Sequence, residues 1–299
     1  MTKEPGSTND GHISVLPREV MDLLSPQPGE IWVDATTGLG GHASSILEAI
    51  GRDGRLICLD QDPEMLTRAK VRLGTDRVVY YQTCFDQLRA VLDKLGLETV
   101  DGVLADLGVC SVQLDTPSRG MSFLREGPLD MRFDTNVGEP ASRLLERLNE
   151  RELAELFWEF GEERFRGRIA RRIVETRQEE PIRTTTQLAA LIRRSVPKGN
   201  KRPGGIDPAT RVFQALRIAV NDELGSLERL LKSLPSCIRS GGKAGVISFH
   251  SLEDRLVKWA FREQEVWDAV TRKPVQPSEA EARDNPRARS AKLRVAIRK

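Results

Sequence analysis

The chain has 299 residues, of which 39% are hydrophobic and 30% are charged, and its formal net charge is +2. This length allows one large domain or two with a buried core, and the composition is typical of folded proteins and not of disordered ones. No apolar run approaches the ~20 residues that cross a bilayer, and the polar start lacks a signal-peptide core, so we expect a cytoplasmic protein with no membrane partner.

The first strand, turn, helix and second strand carry the clearest signal for a ligand. The apolar strand Ile31–Ala35 leads into a glycine-rich turn, and the next strand, Leu56–Asp60, ends in an acid. In a βαβ nucleotide-binding unit such glycines let the backbone approach the ligand, and the acid accepts hydrogen bonds from ribose hydroxyls. The spacing is not GxGxxG, however. Asp34 at the end of the first strand would repel a diphosphate but would suit a cationic ligand such as S-adenosylmethionine.

Strands and helices continue to alternate as far as residue 107. Further strands are predicted at Val78–Gln82 and Gly102–Leu107, with helices between the strands. This alternation predicts a parallel sheet covered by helices on both faces. The pattern then stops: a loop-like segment follows, and after it three amphipathic helices around Phe157, Ile169 and Leu188. We therefore predict a helical domain over residues 114–205, inserted into a sheet domain formed by residues 1–113 and 206–299.

The sheet pattern returns after the insert. It predicts one long helix from about Pro208 to Leu234, a strand Ala244–Phe249 and an edge strand in which Leu293, Val295 and Ile297 alternate with other residues. A helix with its apolar positions at Leu252, Leu256, Val257 and Trp259 is expected between these two strands.

Cysteine usage argues against a metal site. Only three histidines accompany four cysteines that show no CxxC spacing, so we expect reduced thiols and no bound metal.

Basic residues are concentrated in two segments. Arg164–Arg202 contains twelve Arg or Lys against three Glu, a local charge of +9, and Glu281–Lys299 contains seven against two, a local charge of +5. A solvated helix face would explain one such run, but two on one chain favour a polyanionic partner, RNA or DNA. In the second helix of the insert the cations lie opposite the apolar stripe, at Arg164, Arg168, Arg171 and Arg172.

Ligands of open parallel sheets bind at the carboxyl ends of the strands. This rule selects polar and aromatic residues that follow the predicted strands, namely Asp34, Asp60, Phe85, Asp106 and His250. Phe85 would stack on adenine, with Asp86 hydrogen-bonded to the ring, although a core phenylalanine fits the pattern nearly as well. Asp60 has the alternative role of a helix N-cap, and His250 that of a buried, hydrogen-bonded histidine.

At this point the sequence resembles a known family, the bacterial MraW/RsmH family. Seven motifs in order carry the resemblance: DLGVCSVQLD (106–115), RGMSF (119–123), GPLDMRFD (127–134), GEERF (161–165), PATRVFQALRIAVNDEL (208–224), VISFHSLEDR (246–255) and NPRARSAKLRVAIRK (285–299). The resemblance covers nearly the whole chain from His12. Asp207 departs from the family pattern, in which His is more usual, so a role for that histidine is in doubt.

The resemblance implies a fold, a reaction and a cofactor site. The fold would be a Rossmann-like class I methyltransferase sheet (α/β) with the inserted helical domain. The reaction would be S-adenosylmethionine-dependent methylation of a cytosine N4 amine in small-subunit (16S) ribosomal RNA, within the small ribosomal subunit. The family's cofactor contacts fall on Gly40, Gly41, His42, Asp60, Phe85, Asp106 and Gln113.

Several alternatives stay open from the residues alone. A nicotinamide-dependent dehydrogenase would share the βαβ unit, and a non-catalytic RNA-binding assembly factor would share the basic insert. No catalytic residue is assigned; Asp106 and His250 are the polar side chains to test, and Cys110 is the one cysteine placed to attack a ring carbon instead. A homodimer is one option for the oligomeric state.

Overall fold

The computed structural model describes residues 14–197 and 207–299. Contacts divide the chain into two units, which are Met1–Gly108 with Glu228–Lys299, and Val109–Leu227. The second unit therefore extends beyond the predicted insert of residues 114–205 at both ends. Within the described ranges, no helix is long and apolar enough to span a membrane.

The first unit is built on a seven-stranded sheet. Its strands are β1 (Ile31–Asp34), β2 (Arg55–Asp60), β3 (Val78–Gln82), β4 (Val100–Asp106), β5 (Ile238–Ser248), β6 (Trp267–Ala269) and β7 (Lys292–Arg298). The order is β3-β2-β1-β4-β5-β7-β6; the first five strands are parallel, and β7 is antiparallel to both of its neighbours. The predicted Rossmann-like α/β sheet is confirmed, but the prediction of β7 as an edge strand is wrong because the three residues of β6 pair outside it.

Helices cover this sheet, and local sequence explains where they begin. They are α1 (Pro17–Leu24), α2 (Gly41–Ala49), α3 (Pro63–Leu73), α4 (Leu88–Lys94), α12 (Ser251–Ala260) and α13 (Glu279–Asp284). α3 begins with Asp62, whose carboxylate accepts a hydrogen bond from the Glu64 N–H (3.0 Å), followed by Pro63. Trp32 is 1% exposed in the core, and a Cβ at Gly102 would lie 2.3 Å from its ring, so only glycine fits on the neighbouring strand.

The second unit is helical around its own apolar core. Its helices are α5 (Ser111–Asp115), α6 (Ala141–Arg147), α7 (Glu150–Glu159), α8 (Arg166–Glu179), α9 (Thr185–Ser195) and α10 (Pro208–Asn221), and α11 (Glu223–Cys237) runs from this unit into the first. Phe157, Ile169, Leu188 and Leu216 are buried in one cluster. Because α10 contributes to that cluster, the unit continues past the predicted insert.

The single long helix predicted from Pro208 to Leu234 is wrong. It is two helices, α10 and α11, separated at Asp222, which has φ 48. Asp is one of the few residues besides glycine that visit this left-handed region, because its short side chain can hydrogen-bond locally. Arg217 then pairs with Glu223 across the break at 2.7 Å.

Candidate cofactor and substrate site

The glycine turn predicted to hold a ligand is folded against the acid at the end of β2. Gly40 has φ 78 and precedes α2, a conformation that favours glycine. A Cβ on Gly41 would meet the Ser14 hydroxyl, so a larger residue there would have to displace that side chain. The Gly38 N–H donates to Asp60 Oδ2 at 2.7 Å. The turn is thus fixed close to the carboxyl ends of β1 and β2.

Asp60 organises the loop that follows its strand. Besides Gly38, it accepts a hydrogen bond from the Asp62 N–H at 2.8 Å. The N-cap of α3 is Asp62, so the N-cap alternative for Asp60 is wrong. Each carboxylate oxygen has two lone pairs, so Asp60 retains acceptor capacity for ligand hydroxyls.

Asp34 is a buried acid in an unfavourable electrostatic position. Its side chain accepts hydrogen bonds from the backbone of Thr36 and Ala43, and the residue is 2% exposed. Burial raises the pKa of Asp34 to about 7; the hydrogen bonds lower it in part, and the nearby charge of Asp60 raises it further. A cationic ligand beside Asp34 would stabilise its ionised form and so offset the effects of burial and of the nearby Asp60 charge.

Asp106, at the end of β4, is a second acid that lies near other carboxylates, and it is partly buried. Its backbone N–H donates to the Thr36 hydroxyl at 2.6 Å, and its Oδ2 lies 3.6 Å from His42 Nε2. Its Oδ1 is buried and has no hydrogen-bond partner among the described residues. Burial, followed by the charges of Asp34 and Glu253, raises the pKa of Asp106 well above its ordinary value. The sequence interpretation missed Thr36, which ties the loop after β1 to Asp106.

The residues after β3 and β5 form local contacts within the first unit, and the predicted cofactor contact of Phe85 stays a prediction. Phe85 is partly buried and opens a short 3₁₀ turn directly after β3, and the next residue, Asp86, pairs with Arg229 at 2.7 Å. His250 is the N-cap of α12, with its Nδ1 3.4 Å from the Glu253 N–H. His250 is therefore hydrogen-bonded, as its structural alternative expected, but it is only partly buried.

Gln113 belongs to the second unit, where it has a local structural role. It is 5% exposed in α5, and its Oε1 accepts a hydrogen bond from the Cys110 N–H at 3.0 Å. This contact closes the first turn of the helix. Its predicted role as a cofactor contact stays a prediction.

The first unit thus fits a cationic ligand with a ribose. The acids Asp34, Asp60 and Asp106 follow neighbouring strands, and the charges that raise the pKa of Asp34 and Asp106 come from other acids. A donor with an amino group, a sulfonium and ribose hydroxyls would supply the positive charge and the hydrogen-bond donors that this carboxylate cluster lacks.

Comparison with known proteins decides the family. The sequence profile of the MraW methylase family matches residues 9–299. The chain belongs to the MraW methylase family. It is an S-adenosylmethionine-dependent methyltransferase, and the resemblance noted from its seven motifs is confirmed.

Relatives of this methylase match over almost their whole length. The proteins called "Ribosomal RNA small subunit methyltransferase H" are 51% identical in Sorangium cellulosum (98% of this chain, 93% of the relative), 48% in Thioalkalivibrio sulfidiphilus (98% and 99%) and 49% in Syntrophotalea carbinolica (95% and 96%). The solved structure of a SAM-dependent methyltransferase from Aquifex aeolicus has a TM-score of 0.41 and 10% identity, over 95% of this chain and 89% of that one. The family profile and the sequence relatives together show the family of this chain.

The basic side chains of the two segments, Arg164–Arg202 and Glu281–Lys299, differ in their contacts, and those on α8 are exposed. Arg168, Arg171 and Arg172 are exposed on α8, opposite the buried Ile169 and Ile173. Arg171 pairs with Glu150 at 3.4 Å and Arg172 with Glu175 at 3.3 Å, and both pairs lie on the surface, where such pairs add little stability. The last residues of the first basic segment, 198–202, lie outside the described residues.

The C-terminal segment uses several of its cations inside the first unit. Arg294 and Lys292 pair with Asp254 at 2.7 and 3.4 Å, and Arg298 donates to the backbone carbonyls of Pro235 and Val266. Part of the +5 charge of this segment is therefore used in contacts inside the first unit and is not available to a partner.

Proposed function

We propose that this methyltransferase transfers a methyl group to the exocyclic N4 amine of a cytidine in small-subunit ribosomal RNA. The observation that carries the proposal is identity of about half over nearly full length to proteins called ribosomal RNA small subunit methyltransferase H. The choice of the cytosine N4 amine as the methylated group rests on the resemblance of the seven motifs and on the hydrogen-bond acceptors of the site. We propose the cytoplasm as the location and the small subunit as the form in which the RNA is recognised.

The proposed cofactor contacts follow from the resemblance, and the acids at the ends of β1, β2 and β4 in the first unit support them. Gly40, Gly41, His42, Asp60, Phe85, Asp106 and Gln113 form the proposed set, with Asp60 accepting hydrogen bonds from the ribose. Asp34 adds negative charge suited to a cationic donor. S-adenosylmethionine, when bound, supplies an electrophilic methyl group on a positively charged sulfur.

The chain's own residues have a limited chemical task. The cytosine amine is a weak nucleophile because its lone pair is delocalised into the ring, so a hydrogen-bond acceptor that holds the N–H groups orients it for in-line attack. Asp106 fits that role, since its Oδ1 is buried without a partner among the described residues. No strong base is needed, because the amine becomes acidic as it gains the methyl group.

A base in structured RNA must be unstacked before it reaches such a site. We propose that the second unit binds the surrounding phosphates through Arg168, Arg171 and Arg172 on α8. Phosphate contacts position the RNA without reading its sequence.

The test is methyl transfer from radiolabelled S-adenosylmethionine to purified small ribosomal subunits and to naked small-subunit RNA. We expect label in the RNA of the subunits and reduced transfer to naked RNA. A protein that binds the donor and RNA but transfers no label to either substrate would instead be an assembly factor, and the proposed function would be wrong.

A further inference from the structure

Helix α12 has an outer face on which an aromatic ring lies among cations. Arg255, Lys258 and Trp259 lie at positions i, i+3 and i+4 of α12, which fall on one side of an α-helix, and Arg262 follows in the turn just after the helix ends at Ala260. We call these four residues the α12 face. The sequence interpretation placed Trp259 among the apolar positions of this helix, but its side chain is 62% exposed.

The cations of this face lie against the exposed indole ring. Lys258 Nζ is 5.7 Å and Arg262 Cζ is 5.8 Å from the centroid of the Trp259 ring. Neither cation forms an ion pair within residues 14–197 and 207–299. Their ammonium and guanidinium groups can therefore contact a polyanion without first breaking a salt bridge.

The acids of the same helix point elsewhere. Glu253 is 2% exposed, and its Oε2 accepts hydrogen bonds from the Phe249 and His250 N–H groups. Asp254 is held by Arg294 and Lys292. α12 thus separates its charges, with acids bound internally and cations outside, and its buried side packs Val257 onto the sheet.

The position of the helix connects this face to the candidate site. α12 follows the carboxyl end of β5, with His250 as its N-cap and Ser251 as its first residue, and rises about 1.5 Å per residue. Trp259 therefore lies roughly 12 Å along the helix axis from Ser251.

We propose that the α12 face binds an unpaired stretch of the substrate RNA, with one base stacked on Trp259 and phosphates near Lys258 and Arg262. The proposal rests on the proposed function, and it adds a contact in the sheet unit to the one proposed for α8. Single-stranded nucleic acids are bound in this way, by an aromatic ring for the base and cations for the backbone. A protein partner would not require two unpaired cations around the ring.

The first experiment separates stacking from charge. Affinity is measured by fluorescence anisotropy for a labelled single-stranded oligouridine, and by competition for inorganic polyphosphate, a polyanion without bases. Trp259→Ala should weaken oligouridine binding roughly 5- to 150-fold, the range for loss of one stacked base, and leave polyphosphate binding unchanged. Trp259→Phe should retain most of the affinity.

The second experiment tests the charges. The double variant Lys258→Glu/Arg262→Glu should weaken binding of both polyanions and flatten the salt dependence. The matched control is Arg18→Glu/Arg68→Glu, which makes the same charge change at exposed arginines already paired with Asp22 and Glu64, and should have a much smaller effect.

Three results would overturn the α12 proposal. The first is that Trp259→Ala binds oligouridine as tightly as wild type. The second is that Trp259→Ala loses as much affinity for polyphosphate as for oligouridine. The third is that its affinity for RNA is unchanged while its binding to whole small subunits is weaker, which would assign the face to a protein partner. If wild-type protein methylates the RNA in any of these cases, the proposed function stands. If wild-type protein transfers no methyl group, the proposed function fails whatever Trp259 does.

Discussion

Replacing Asp34 by asparagine should stabilise the protein at alkaline pH. The pKa of Asp34 is about 7 in the folded protein against an ordinary 3.8, so between these values the folded state holds a proton that the unfolded state has lost. The free energy of unfolding therefore falls as the pH rises through this window. Asparagine is nearly isosteric, can accept the same backbone hydrogen bonds and does not ionise. The stability gain of Asp34→Asn should thus grow by about 2–3 kcal/mol between pH 5 and pH 8, since one pKa unit is worth about 1.4 kcal/mol.

The assay is urea denaturation of wild type and variant at pH 5 and pH 8. Asp53→Asn, at an exposed acid in the turn before β2, is the matched control and should show no such gain. Asp34→Asn should also bind S-adenosylmethionine more weakly, because the negative charge that suits the cationic donor is gone. Parallel stability profiles for Asp34→Asn and wild type would refute the electrostatic argument.

Three further predictions concern the site and the RNA. Asp60→Ala should lower donor affinity by about 2–3 kcal/mol, the size of hydrogen bonds to a charged group; calorimetry showing unchanged binding by the folded variant would remove Asp60 from the ribose site. Replacing Arg168, Arg171 and Arg172 by Glu should weaken RNA binding and reduce its salt dependence, while the affinity for the donor stays the same. An unchanged salt dependence would show that these arginines face solvent and do not contact the RNA. Asp106→Ala should reduce single-turnover methyl transfer by roughly 10²-fold or more, and a rate equal to wild type at saturating donor would exclude it from orienting the amine.

The parallel part of the sheet could be predicted because each strand is an apolar run bounded by turns. The four predicted strands up to residue 107 all occur, and Asp34, Asp60 and Asp106 end three of them. Their order along the chain is enough to bring these acids to one edge of the sheet. The sequence could not show that burial raises the pKa of Asp34 and Asp106, because that depends on which side chains surround them.

Other features depended on contacts between distant residues. β6 has only three residues, too few for a periodic pattern, so β7 was expected at the edge. The break at Asp222 has no glycine or proline to mark it, and only the Asn-Asp pair hints at a left-handed residue. Trp259 fits an apolar stripe by spacing, but the sheet covers Val257 and leaves the indole exposed. The role of His250 as a cap is local, and the capping spacing to Glu253 could have predicted it.

The most direct test of the central claim identifies the methylated atom. Small ribosomal subunits are incubated with tritiated S-adenosylmethionine and the protein, the RNA is digested, and the nucleosides are separated. We expect the label in N4-methylcytidine, and we expect it to survive Cys110→Ser, because methylation of an exocyclic amine needs no cysteine nucleophile. Label in C5-methylcytidine that is lost in Cys110→Ser would contradict the assignment.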